Sequence, residues 1–266
     1  MTSTTPDHPM ASAHRHPSNG DPAKALLPFA LLALGIGGSL LALSTIIKPE
    51  APFMLASTVF GLVLPALFLT HREGGGAAVR ALLRNCVRLP SSWWWLPLAA
   101  FTLPVATWTT GAATGGAVDL TWGLASFYLQ DLIIGAVVIN IWEEMAWTGF
   151  AQRRAMARWG QIRGSLLIAV LFAGIHLPLA FDGAKTSGDV AAGLGILVGT
   201  GVGLRLLIAG LHAWSGRSLL AVALLHAAFN ATGGLVDPSS DWVRYVVTVL
   251  LGLAAVGVLT RSAARH

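Results

Sequence analysis

ASFYLQDLIIGAVVINIWEEMAWTGF, residues 125–150, is a long apolar run with two adjacent glutamates, Glu143 and Glu144, close to its end. A helix needs about 20 apolar residues to cross the ~30 Å hydrocarbon core of a bilayer. One charge at the bilayer centre costs at least about 2.5–3.5 kcal/mol on the mildest scale. Two neighbouring carboxylates are worse, because like charges resist joint ionisation. Such residues persist where they line a polar cavity and have partners. The stretch therefore points to a membrane-spanning helix that carries part of a polar site.

The rest of the chain agrees. Of its 266 residues, 55% are hydrophobic and 11% charged, against roughly 25% charged in soluble domains. So few charges cannot cover a water-facing surface, and the natural solvent is lipid. The net charge of +5 does not form a stripe. The basic residues recur in short clusters between apolar runs, which argues for membrane topology and against a nucleic-acid partner. The single cysteine, Cys86, excludes an internal disulfide and falls in a segment assigned to the cytoplasm. The excess of Arg over Lys, with abundant Ala, Gly and Leu, suggests a GC-rich bacterial gene.

Residues 1–23, rich in Pro, His, Ser and Thr, read as a disordered tail. The run from Ala25 to Ile47 is too long for the apolar region of a signal peptide and reads as an uncleaved first span. Further spans are expected near 52–70, 93–110, 125–148, 164–181, 190–212, 218–234 and 242–260, an all-α, polytopic bundle of about eight transmembrane helices. With the N-terminus inside, Arg72, Arg80, Arg84, Arg88, Arg153, Arg154, Arg158, Arg163, Arg217, Arg261 and Arg265 are all cytoplasmic. The opposite side holds only Lys48, Lys185 and Arg244 as cations. Every connection then obeys the positive-inside rule, with both termini cytoplasmic. Trp93, Trp94 and Trp95 read as an interfacial cluster. Gly195, Gly199 and Gly203 mark a smooth face for close helix packing. Arg205 is expected to snorkel to the cytoplasmic surface, and His212 to sit at the interface. Asp119 and Asp131 read as interfacial rather than catalytic.

The chemistry lies in the ionisable residues inside the spans. By the helical rise, Glu143 is about 15 Å in from Arg153, His176 about 20 Å in from Arg163 and His226 about 13 Å in from Arg217. Three helices thus offer side chains at similar depths, as one shared site requires. Asn230 follows His226 by one turn on the same face. A histidine alone on an apolar helix is more often a packing residue; with Glu143 and Glu144 at the same depth the balance reverses. A carboxylate in a low-dielectric cavity can act as a general base toward water. An imidazole can share that role or bind a metal, and a second imidazole with an amide can donate to an oxyanion. Glu, His, His and Asn suit amide hydrolysis without a covalent intermediate. The sequence has no G-x-S-x-G and no H-E-x-x-H.

Three motifs carry a resemblance: Glu143-Glu144-Met145-Ala146-Trp147-Thr148-Gly149-Phe150, Phe172-Ala173-Gly174-Ile175-His176 and His226-Ala227-Ala228-Phe229-Asn230. Over about 125–235 the chain resembles the CAAX-protease and bacteriocin-processing (CPBP, abortive-infection) family of intramembrane proteases, Rce1-like. The resemblance implies that Glu143 activates water with help from His176, that His226 and Asn230 stabilise the oxyanion, and that Glu144 supports them. It leaves open a zinc-like divalent metal on Glu143, His176 and His226. The family's arginine after the glutamate pair is Thr148 here. Either Arg153 or Arg154 reaches back, or the pair lacks a cation and one glutamate is protonated. The expected protein is a multi-pass plasma-membrane endopeptidase whose partners are membrane lipid and peptide or protein substrates near the cytoplasmic leaflet. The alternatives are an impaired member acting as a scaffold or immunity factor and, with less support, a proton-coupled transporter. No inverted repeat favours the last.

Overall fold

The computed structural model describes Asp21 and residues 23–263, so the tail read at 1–23 lies almost wholly outside the described residues. Within them the chain is helical, with no strand; one antiparallel bridge joins Ala117 to Val236. The segments are α1 (Leu26–Ile46), α2 (Ala51–Cys86), α3 (Trp95–Thr114), α4 (Trp122–Trp159), α5 (Gln161–Ile175), α6 (Ser187–Trp214), α7 (Leu219–Ala231) and α8 (Trp242–Ala263).

These segments follow the order of the expected spans. Five stretches are long and apolar enough to cross a membrane: α1, α2, α4, α6 and Pro238–Gly257, which contains most of α8. Gln161–Ile175 and Leu219–Leu235 are apolar but shorter. At 15 residues, α5 rises only about 22 Å. It ends at Ile175 because Pro178 lacks an amide hydrogen, and a short 3-10 turn, Leu177–Ala180, continues the chain. Pro178 thus stops the helix, which leaves His176 at its end. The connection read as a loop from His71 to Ser92 is helical as far as Cys86. It bends at Gly74–Gly75, where Gly75 takes a φ of 63° that a side chain would resist.

Large apolar side chains such as Leu31, Phe60, Phe68, Val105, Ile133, Val137 and Val170 point outward, as a lipid-facing surface requires. Trp93 and Trp94 stack on each other at 3.8 Å between ring centroids and are exposed. The interior is built around the second half of α4, where every residue from Met145 to Gln152 is buried. Phe29 packs on Trp147 and Phe150 there. Close helix approaches use glycine. A Cβ on Gly252 would lie 2.3 Å from the Gly203 carbonyl oxygen, so α8 and α6 meet backbone to backbone. Of the expected glycine stripe, only Gly203 makes such a contact; a Cβ on Gly199 would meet Val249 at 3.8 Å, and one on Gly195 would have nothing within 4 Å.

The backbone of α4 is not uniform. Gly135–Asn140 and Met145–Gln152 are wound wider, with i→i+5 hydrogen bonding, on either side of Ile141–Glu144. Wide turns of this type recur at functional sites because they re-aim side chains within a helix.

Candidate active site

Three helices, α4, α6 and α7, converge on Glu144, whose side chain is fully buried. Arg205 of α6 grips it with both terminal nitrogens: Nη2 bonds Oε1, and Nη1 lies 3.2 Å from Oε2. From α7, His226 Nδ1 stands 2.8 Å from Oε1. Thr148, one turn along α4, donates its hydroxyl to Oε2. A bidentate guanidinium pair fixes the carboxylate in position as well as charge. A carboxylate paired in this way only accepts, so the proton between it and His226 belongs to Nδ1.

Arg205 corrects the sequence reading. It does not snorkel; its side chain is wholly buried. Neither Arg153 nor Arg154 reaches back to the glutamates. Arg154 pairs with Glu73 and lies over the Phe150 ring, and Arg153 is exposed. The cation sought near Thr148 comes from another helix. His212 is also buried, in the last turn of α6.

Glu143 faces a different environment. Its Oε1 accepts a hydrogen bond of 2.9 Å from Thr58 of α2, and its Oε2 lies 3.9 Å from His226 Nδ1. Together with His176 it lines a cavity of about 60 Å³, walled by Leu41, Met54, Thr58 and Ile175. That volume has room for water, since one molecule needs roughly 10–15 Å³. Nδ1 of His176 lies 2.7 Å from the Phe172 carbonyl, to which it donates. In the neutral ring Nε2 then carries the free lone pair. Phe172 is the hub of the cluster. Its ring meets His176 at 4.5 Å, His226 at 5.8 Å and Trp147 at 5.8 Å, and the Arg205 guanidinium lies 4.8 Å above it.

The structure thus brings Glu143, Glu144, His176 and His226 together. Asn230 stands apart: it is exposed, one turn beyond His226 on α7, with no hydrogen bond to the cluster. Among the described residues no three His, Cys, Asp or Glu side chains are grouped to hold a metal ion. The set Glu143, His176 and His226 is not gathered in that way.

Three residues escaped the motif reading. Arg205 had a signal: it lies among leucines, about 13 Å in from Trp214 by the helical rise, the same depth that singled out the glutamates and histidines. Thr58 lies far outside the motifs and gives no sign of itself. Asn140, one turn before Glu143 and Glu144, is buried with neither amide atom bonded to protein.

Comparison with curated proteins finds no match. Comparison with protein families does: residues 125–232 match the family described as type II CAAX prenyl endopeptidase Rce1-like. The matched segment contains all three motifs and Arg205, whereas Leu41, Met54 and Thr58 of the cavity wall lie outside it. With several helices fit to cross a membrane, the chain is a multi-pass membrane protein. Residues 125–232, less than half of the chain, are thus similar to an Rce1-like CAAX prenyl endopeptidase domain, and this likeness supports, in general terms, an intramembrane endopeptidase.

Proposed function

We propose that the protein hydrolyses peptide bonds near the cytoplasmic leaflet of the plasma membrane, with Glu143 as general base. The observation that carries this reading is the shared cavity of Glu143 and His176. Water there meets a carboxylate oriented by Thr58 and the unprotonated Nε2 of His176. Glu143 takes the proton as the water oxygen bonds to the scissile carbonyl carbon, and returns it to the leaving amine. His226 donates from Nε2, in its charged form, to the developing oxyanion. Glu144 does not line that cavity. It holds the His226 ring by Nδ1 and is itself held by Arg205 and Thr148.

No step is routed through a metal, because the donors do not converge on one. The scaffold reading rested on a glutamate pair without a cation, and Arg205 removes that ground. The substrates are peptides or protein tails that reach the membrane, with lipid as the other partner. The test is proteolysis of a membrane-proximal peptide library by detergent-purified protein, beside His226→Ala, with and without chelator. Cleavage by the wild type alone, insensitive to chelator, supports the reading. Cleavage by both proteins at one rate sinks it, and loss with chelator replaces the metal-free route.

A further inference from the structure

We propose that Arg205 is a positioning residue of the site, and that it occupies the one cationic place that position 148 could otherwise fill. This rests on the peptidase reading above. Two positions face the same carboxylate. Thr148 reaches Glu144 Oε2 from one turn away on α4, and Arg205 reaches both oxygens from α6. An arginine at 148 would sit at i+4 from Glu144, the spacing at which side chains on a helix meet. The pocket is closed: Glu144, Thr148 and Arg205 are all buried. It holds a single carboxylate whose accepting sites are already taken by Arg205, Thr148 and His226. A second guanidinium there would be a buried charge without a partner, which proteins do not tolerate.

The arrangement around Arg205 is built for one guanidinium. Its guanidinium lies over the Phe172 ring. Its backbone carbonyl accepts from Gln152 Nε2 at 3.1 Å, and Gln152 in turn donates to Ser165 at 3.1 Å. The register of α6 against α4 is thereby tied to the same residue that holds Glu144. Through Glu144 it sets the ring of His226, and through Phe172 it borders His176. Misplacing a catalytic group by about 1 Å can cost about 100-fold in rate.

The consequence is an exchange of signs. With Arg205 present, Thr148→Arg is harmful. With Arg205 removed, the same substitution is beneficial. The experiment compares wild type, Arg205→Ala, Arg205→Lys, Thr148→Arg and the double variant Thr148→Arg/Arg205→Ala in detergent, reading kcat, KM and the thermal unfolding midpoint. Each single alanine or arginine change is expected to lower kcat by about 10- to 100-fold with KM little changed. Arg205→Lys keeps charge but not the fork and falls between. The double variant is expected to regain kcat to within about ten-fold of wild type, by the same reasoning on geometry. Wild-type kcat in Arg205→Ala overturns the proposal. So does a double variant that recovers the midpoint without kcat, because Arg205 would then serve the fold alone. If Arg205→Ala does not fold, the double variant and Arg205→Lys decide: both failing overturns the exchange. A wild type that cleaves nothing refutes the peptidase reading instead. The midpoints then still test the pairing, which fails if the double variant is no more stable than Arg205→Ala.

Discussion

Removing one hydroxyl, in Thr58→Val, tests whether helices outside the matched segment help to build the site. Thr58 Oγ1 is 2.9 Å from Glu143 Oε1 and 3.3 Å from the Met54 carbonyl. It has one proton to give, and the shorter contact, to a carboxylate, takes it. A hydrogen bond to a charged group contributes about 1.5–3 kcal/mol. Valine has nearly the same shape, so packing around α2 survives while that bond is lost. If the bond orients Glu143 toward water, its loss falls on the chemical step. At 1.36 kcal/mol per factor of ten, kcat should fall by about 10- to 150-fold with KM held within about two-fold. The assay is steady-state cleavage of a verified peptide in detergent, with the unfolding midpoint measured beside it. A kcat within two-fold of wild type would refute the reasoning, since Glu143 would then be positioned without Thr58. A rise in KM alone would mean that Thr58 touches substrate rather than the base.

Two further predictions concern packing. Asn140 is buried and neither amide atom has a protein partner, a condition that costs about 1–3 kcal/mol. Asn140→Leu should therefore hold or raise the unfolding midpoint; a marked drop would mean that ordered water satisfies the amide. Gly252→Ala places a Cβ 2.3 Å from the Gly203 carbonyl oxygen, which forces α8 from α6 and should cost about 1–3 kcal/mol. Its midpoint should fall while kcat and KM at permissive temperature stay close to wild type; an unchanged midpoint would contradict the backbone contact.

Much of the architecture is legible in the sequence because lipid imposes a strong rule: backbone groups must be satisfied within helices, so apolar runs become helices. The order of the segments follows directly. Their ends do not. Gly74–Gly75 bends a helix that runs on to Cys86, past the expected end near residue 70, and α5 stops at Ile175 ahead of Pro178 rather than near residue 181. Glu143, Glu144, His176 and His226 were legible because an ionisable residue in lipid needs a reason, and depth along each helix aligned them. Arg205 carried the same signal, yet long basic side chains near helix ends usually reach the surface, and nothing in a linear sequence fixes which way α6 is rotated. The wide turns of α4 are equally invisible, since no residue pattern in Gly135–Asn140 or Met145–Gln152 marks them. Asn230 shows the limit of motif spacing: it follows His226 by one turn, but the structure leaves it exposed.

The most direct test of the account is the cleavage rate of Glu143→Gln beside wild type. Glutamine keeps the shape and the acceptor for Thr58 but cannot take a proton from water. A general base contributes about 10²- to 10⁴-fold. The account predicts a loss in that range, with the unfolding midpoint and membrane insertion unchanged. Cleavage by Glu143→Gln at the wild-type rate would contradict it and move the base to another residue.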